Sequence, residues 1–181
     1  RLNIELVQFI SPAKRSNLTY KVVESSESQN ERRKQLINLL REYAGPKIIY
    51  ASKVKTTESL AEELYNRGFA SACYNGKMES EKKMVIQDQF QNEEVDTIVA
   101  TTAFGMGVDK DNVELVAHYE ISSTLENYVQ EAGRAGRNPN LQASCVALFH
   151  PNDLNTSFQI LQQSKLSAQE IATVWRVLKK M

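Results

Sequence analysis

The 181-residue sequence has little of several things, and each shortage narrows the field. It has no net charge, with 22 Lys and Arg against 22 Asp and Glu. That argues against a wholly basic nucleic-acid module but leaves room for a local basic patch. There are only two cysteines, Cys73 and Cys145, far apart in apolar runs. Two reduced thiols are expected, not a disulfide framework, and no Cys/His cluster has metal-ligand spacing. The two histidines, His118 and His150, read as structural or surface side chains, and no Ser/His/Asp set is visible. No apolar run approaches the roughly 20 residues that cross a bilayer. The opening RLNIELVQFI lacks the pattern of a signal peptide, and it carries no initiator methionine. With the far end stopping at Met181 inside a helical pattern, the chain reads as a piece of something longer.

What is present is an alternation of short β-rich runs with helical patterns. Lys47–Ala51, Ala70–Tyr74, Asp96–Ala100, Val113–Tyr119 and Ala143–Phe149 read as strands. Thr57–Arg67, Glu79–Gln91 and Leu125–Ala132 read as helices, the first stopped by Gly68. Upstream, Asn17–Val23 alternates like a strand and Glu31–Tyr43 has helical spacing. This order predicts an α/β fold, three layers with a mainly parallel central sheet, followed by C-terminal helices. The expected domain is 1–153. Residues 154–181 are expected to be a helical extension leading into a further domain, with an apolar stripe of Ile171, Val174, Trp175 and Leu178. In such sheets ligand-binding loops lie at the carboxyl ends of strands, which draws attention to the segments after Ala100 and after Tyr119.

A nucleotide site is not complete in this sequence. There is no GxxxxGK[ST] loop, no GxGxxG and no acidic motif after a strand to hold Mg²⁺. Two unusual stretches remain. In Ala100-Thr-Thr-Ala-Phe-Gly-Met-Gly-Val-Asp109-Lys110 a strand gives way at once to hydroxyls and glycines, which allow close approach to a phosphate; Asp109 could accept from a ribose or orient an arginine. In Ser123-Thr-Leu-Glu126 a capping box starts a helix, which ends in QEAGRAGRNPN; two glycines there each precede an arginine, Arg134 and Arg137. Arginine carries a planar fork of donors suited to phosphate or carboxylate. Each stretch also has a plainer reading, a strand connection and a pair of solvated charges.

Taken together, the two stretches resemble motifs V and VI of RecQ-type DNA helicases of superfamily 2. Arg15–Tyr20 is similar to the opening segment of their second motor lobe, Lys47–Tyr50 to the motif IV strand, and Tyr74–Met78 with Gln87 and Phe90 to the motif that follows. The resemblance implies the second RecA-like lobe of an ATP-driven 3′-to-5′ motor acting in DNA repair and recombination. Its first lobe, part of the same polypeptide, would bind most of the ATP and Mg²⁺. It implies roles for single residues: Arg137 as the arginine finger, Arg134 on phosphate, and Gln130 orienting them. Asp109 and Gly107 would stand at the nucleotide. Ser52, Lys53, Asn75, Lys77, Thr101, Thr102 and Gly105 would face a DNA strand or strand junction and the cleft. It implies no membrane partner and a cytoplasmic, nucleoid or nuclear location. The sequence departs from the family in places: Ala51-Ser52-Lys53 replaces the usual Cys-x-Ser-Arg, and Asn138-Pro139 the usual Asp-Gly.

Two other readings compete. A lobe of a DEAD- or DEAH-type RNA helicase would carry an arginine where Glu131 stands, in patterns such as HRxGR. A non-enzymatic α/β binding module would leave the joint order of the motifs unexplained.

Overall fold

The computed structural model describes residues 15–105 and 109–155. Six strands form one sheet: β1 (Leu18–Glu24), β2 (Lys47–Tyr50), β3 (Ser71–Tyr74), β4 (Thr97–Ala100), β5 (Leu115–His118) and β6 (Ala143–Phe149). The order is β1-β6-β5-β2-β4-β3, and every pairing is parallel. The helices are α1 (Gln29–Leu40), α2 (Val54–Asn66), α3 (Ser80–Gln91) and α4 (Leu125–Ala132).

Strands covered on both faces need apolar residues at every position, and β2, β4 and β5 are buried throughout. Successive residues then feed opposite cores. Ile49, Val99, Leu115, Ala117 and Val146 pack with Leu36, Ile37 and Leu40 of α1 and with Leu60 and Leu64 of α2. Ile48, Tyr50, Ile98, Val116 and Cys145 pack with Phe90 of α3 and Ala132 of α4. The result is the expected three-layer α/β arrangement, with a sheet wholly parallel among the described residues. The expected C-terminal helices, including the stripe from Ile171 to Leu178, lie outside the described residues.

Some boundaries differ from expectation. Helix α2 starts at Val54, three residues before Thr57. Thr57 is fully buried, and its hydroxyl donates to the Val54 carbonyl (2.7 Å), so it sits inside the first turn and does not open it. Helix α4 starts at Leu125 as expected, but its cap differs. Its N-cap is Thr124, whose Oγ1 accepts from the Asn127 amide (3.1 Å), while Ser123 Oγ accepts from the Asn127 side chain (3.2 Å). The expected box on Ser123 and Glu126 therefore moves by one residue, because extended Thr124 (φ −138°) is the one placed to reach the third helical amide.

A buried ion pair ties α1 to the end of the sheet. Arg32 is 3% exposed, and its two terminal nitrogens donate to both oxygens of Asp153 (2.8 and 2.6 Å); one also donates to the Leu148 carbonyl (2.7 Å). Burial pushes the Asp153 carboxyl up, but the Arg32 fork and the His150 amide outweigh it, so the group is held below its ordinary value. A depressed carboxylate contributes stability that is present above its unfolded pKa, about 3.9, and is lost as pH falls through the lower folded value. Asp153→Asn is thus expected to flatten the acid limb of a urea-unfolding stability profile below about pH 4. An unchanged acid limb would remove Asp153 from this role.

Candidate functional site

Because all strands are parallel, their carboxyl ends share one edge of the sheet. There the segments after β2, β4 and β5 enclose an open cleft of about 200 Å³, lined by Tyr50, Ser52, Thr102, Glu120, Ser122 and Glu131 among others. The Ser52 amide donates to Glu120 Oε2 (2.7 Å), which ties the post-β2 turn to the post-β5 segment. Ser52 and Thr102 thus line one cleft. Lys53 is exposed at the N-cap of α2. Thr101 is half-buried, with its hydroxyl on the Ala103 amide (3.4 Å).

The post-β3 turn lies beside the post-β4 loop, since a Cβ on Gly76 would stand 3.7 Å from that of Ala103. Asn75 is 1% exposed there, and its Oδ1 accepts from the Lys77 amide (3.0 Å). Its side chain shapes the turn, and Lys77 is the residue that the turn exposes.

The arginines come from elsewhere. They follow the last turn of α4, and they meet the loop that follows β4. Arg134 is half-buried and its guanidinium lies directly on Gly105, where any Cβ would collide with it. It also stands close to the Tyr50 hydroxyl, which donates to the Phe104 carbonyl (3.1 Å). Burial drives the Tyr50 phenol well above its ordinary pKa, with Arg134 opposing, so the hydroxyl stays a donor. Arg137 pairs with Asp109, whose side chain is 88% exposed. Gln130 lies exposed on the outer side of α4. Gly107 lies outside the described residues.

The two glycines are not equivalent. Gly133 keeps a right-handed backbone (φ −63°), a conformation that does not call for glycine. Gly136 has φ +52°, in the left-handed region that favours glycine, and a Cβ there would stand 2.8 Å from Ala143 Cβ and 2.9 Å from Asn17 Nδ2. The loop is clamped from the far N-terminal side. Asn17, 6% exposed, donates from Nδ2 to the carbonyls of Gly136 (2.8 Å), Asn138 (3.1 Å) and Leu141 (2.9 Å). Arg15 donates to the carbonyls of Gly133 (3.1 Å) and Gly136. No local sequence signal marks these contacts, which span more than a hundred residues; the hint was the likeness of Arg15–Tyr20 to the opening segment of a second motor lobe.

A second buried cluster also escaped the sequence. Glu131, 5% exposed, accepts at Oε2 from His118 Nε2 (3.1 Å) and from the Ser122 hydroxyl. His118 is fully buried, stacked with Tyr50 (centroids 5.6 Å) and tilted against Tyr128 (4.9 Å). Nearby, Cys145 is buried with its thiol on the Ala132 carbonyl (3.3 Å), and burial pushes it up to about 12, so it is an unreactive thiol.

Chemically, these are two cationic forks beside a glycine-bearing loop. That donor set fits phosphate oxygens. It does not fit a metal: no group of three or more His, Cys, Asp or Glu among the described residues could hold one.

Comparison with known proteins agrees with this arrangement. The model of the helicase conserved C-terminal domain matches residues 31–139. The chain is 36% identical over 175 residues to a protein of Bacillus subtilis named probable ATP-dependent DNA helicase RecS, covering 96% of this chain and 35% of that one. It is 42% identical over 106 residues to the ATP-dependent DNA helicase RecQ of Haemophilus influenzae, covering 59% of this chain and 17% of that one. The chain thus spans about a third or less of the length of these curated relatives. Among solved structures, a DEAD box protein from Methanococcus jannaschii superposes with a TM-score of 0.69 at 22% identity, over 84% of this chain and 41% of that one, a likeness of fold. The chain belongs to the helicase conserved C-terminal domain family, and the RecQ-type resemblance of its motifs extends over most of its length.

Proposed function

We propose that this chain is the second motor lobe of an ATP-dependent 3′-to-5′ DNA helicase, and that it supplies arginines to a nucleotide held mainly by a first lobe of the same polypeptide. The observation that carries the reading is the convergence of Arg134 and Arg137 on the loop that bears Gly105 and Asp109. When bound, ATP with Mg²⁺ supplies the γ-phosphoryl group whose transfer to water drives such motors. Arg137 is the finger residue that neutralises charge building on that group, and Arg134 is the phosphate contact nearest Gly105. The Arg137–Asp109 pair suits a residue that must change partners. An exposed ion pair is worth only about 0–1 kcal/mol, so a phosphate competes with Asp109 at little cost. Ser52, Lys53, Lys77 and Thr102, all exposed at the carboxyl edge, are the contacts for a DNA strand. Thr101 and Gly105 back the same loop. Gln130 orients the arginines from the exposed side of α4.

The second residue of motif VI favours this reading over an RNA helicase of the HRxGR kind. Glu131 is a buried acceptor shared by His118 and Ser122, and an arginine there would remove that acceptor and bury a cation with no carboxylate among these partners. The test is ATP turnover by the purified 181-residue chain and by the two-lobe protein, each with and without single-stranded DNA. The chain alone is expected to hydrolyse no ATP, and the two-lobe protein to hydrolyse it in a DNA-stimulated manner. Robust turnover by the chain alone would overturn the reading.

A further inference from the structure

Three segments meet at one oxygen atom. His118 is the last residue of β5, Ser122 belongs to the loop that follows, and Glu131 lies in the last turn of α4. Both His118 Nε2 and Ser122 Oγ point to Glu131 Oε2, and all this is buried or half-buried. The His118 ring nitrogen Nδ1 is buried with no hydrogen-bond partner among the described residues, so the contact assigns the tautomer with the proton on Nε2, donated to Glu131. The ring is wedged between Tyr50 and Tyr128 and cannot turn away. Directly after Glu131 the chain tightens: the Arg134 amide donates to the Glu131 carbonyl (3.2 Å), and Arg134 then reaches Gly105 and the Tyr50 hydroxyl. Tyr50 therefore touches both His118 and Arg134.

We propose that Glu131 is a positioning residue: by gathering His118 and Ser122 on one carboxylate oxygen it fixes the last turn of α4, and so sets where Arg134 and Arg137 stand. The inference rests on the functional reading above, since it gives the arginines their task. Glu131 lines the cleft with only 5% of its surface exposed, and its part in the proposal is played through the turn it holds. Because both donors use a single oxygen, the amide of Gln can keep both bonds with its own carbonyl oxygen, whereas Ala loses both. This separates position from charge.

The experiment compares Glu131→Ala, Glu131→Gln, Ser122→Ala and Arg137→Ala in the two-lobe protein, reading kcat and KM for ATP in DNA-stimulated hydrolysis, with thermal unfolding beside them. Misplacing a catalytic group by about 1 Å can cost on the order of 10²-fold, so Glu131→Ala is expected to lower kcat by roughly 10–10²-fold with KM for ATP little changed. Glu131→Gln is expected to keep most of kcat, and Ser122→Ala to fall between. If Glu131→Ala does not fold, the pair Ser122→Ala and Glu131→Gln carries the test, since a purely structural role would lower the unfolding temperature and leave kcat of the folded protein intact. Wild-type kcat in Glu131→Ala or Ser122→Ala overturns the proposal, as does a Gln variant as slow as the Ala variant. Arg137→Ala with undiminished kcat overturns the functional reading itself, and the proposal with it.

Discussion

Replacing Arg137 by alanine in the two-lobe protein is expected to lower kcat for ATP hydrolysis by roughly 10³–10⁵-fold, the span associated with loss of an arginine finger. The reasoning starts from where the guanidinium stands. It follows a left-handed glycine, so the backbone turn that presents it is fixed, and its partner Asp109 is almost fully in solvent. A side chain held firmly at the backbone but loosely at its tip can move to charge that develops nearby without breaking a strong contact. Lysine at 137 keeps the charge but loses the planar fork, so Arg137→Lys is expected to recover only part of the loss. Steady-state hydrolysis across ATP concentrations checks both; a variant that hydrolyses at the wild-type rate would return Arg137 to an ordinary surface charge.

The second large effect concerns the backbone that carries it. Gly136→Ala is expected to destabilise the 181-residue chain by about 2–4 kcal/mol, read from urea unfolding. An L-residue at φ +52° costs about 1–2 kcal/mol on backbone grounds. The new methyl would also meet Ala143 Cβ at 2.8 Å and Asn17 Nδ2 at 2.9 Å, and overpacking adds typically 1–3 kcal/mol. Neither neighbour gives way easily: Ala143 opens β6 in register with Leu18, and Asn17 is spent on three loop carbonyls. Asn at this position tolerates the left-handed backbone but keeps the clash, so Gly136→Asn is expected to fall between wild type and Ala. A loss below about 0.5 kcal/mol for Gly136→Ala, the size of an ordinary surface change, would mean that the loop relaxes freely.

These expectations show which parts of the molecule could be read ahead of its structure. The limits of α4 and β6 follow from the sequence to the residue: α4 lies between the hydroxyls of Ser123-Thr124 and Gly133, and β6 is an apolar run that ends before His150-Pro151. The start of α2 did not, since its N-cap, Lys53, makes no side-chain cap bond and so leaves no signature. The family resemblance put the post-β4 loop and the arginines at one site, and the structure sets Arg134 on Gly105 and Arg137 on Asp109. What holds the arginines in place was not. Asn17, Arg15, Tyr50 and His118 act on residues far along the chain, and their identities carry no periodicity or spacing that singles them out. Asn75 shows the converse. The family resemblance implied a DNA-strand contact for it, and the structure buries it, with Oδ1 accepting from the Lys77 amide within that turn.

In the proposed motor, Arg137 serves the chemistry of a nucleotide held largely by another lobe. The measurement that tests it most directly is the Kd of a fluorescent, non-hydrolysable ATP analogue for the two-lobe protein and its Arg137→Ala variant. Affinity close to wild type, in a variant that no longer turns ATP over, is the expected result. A loss of affinity as large as the loss of turnover would contradict the claim and make Arg137 a residue that merely binds the nucleotide.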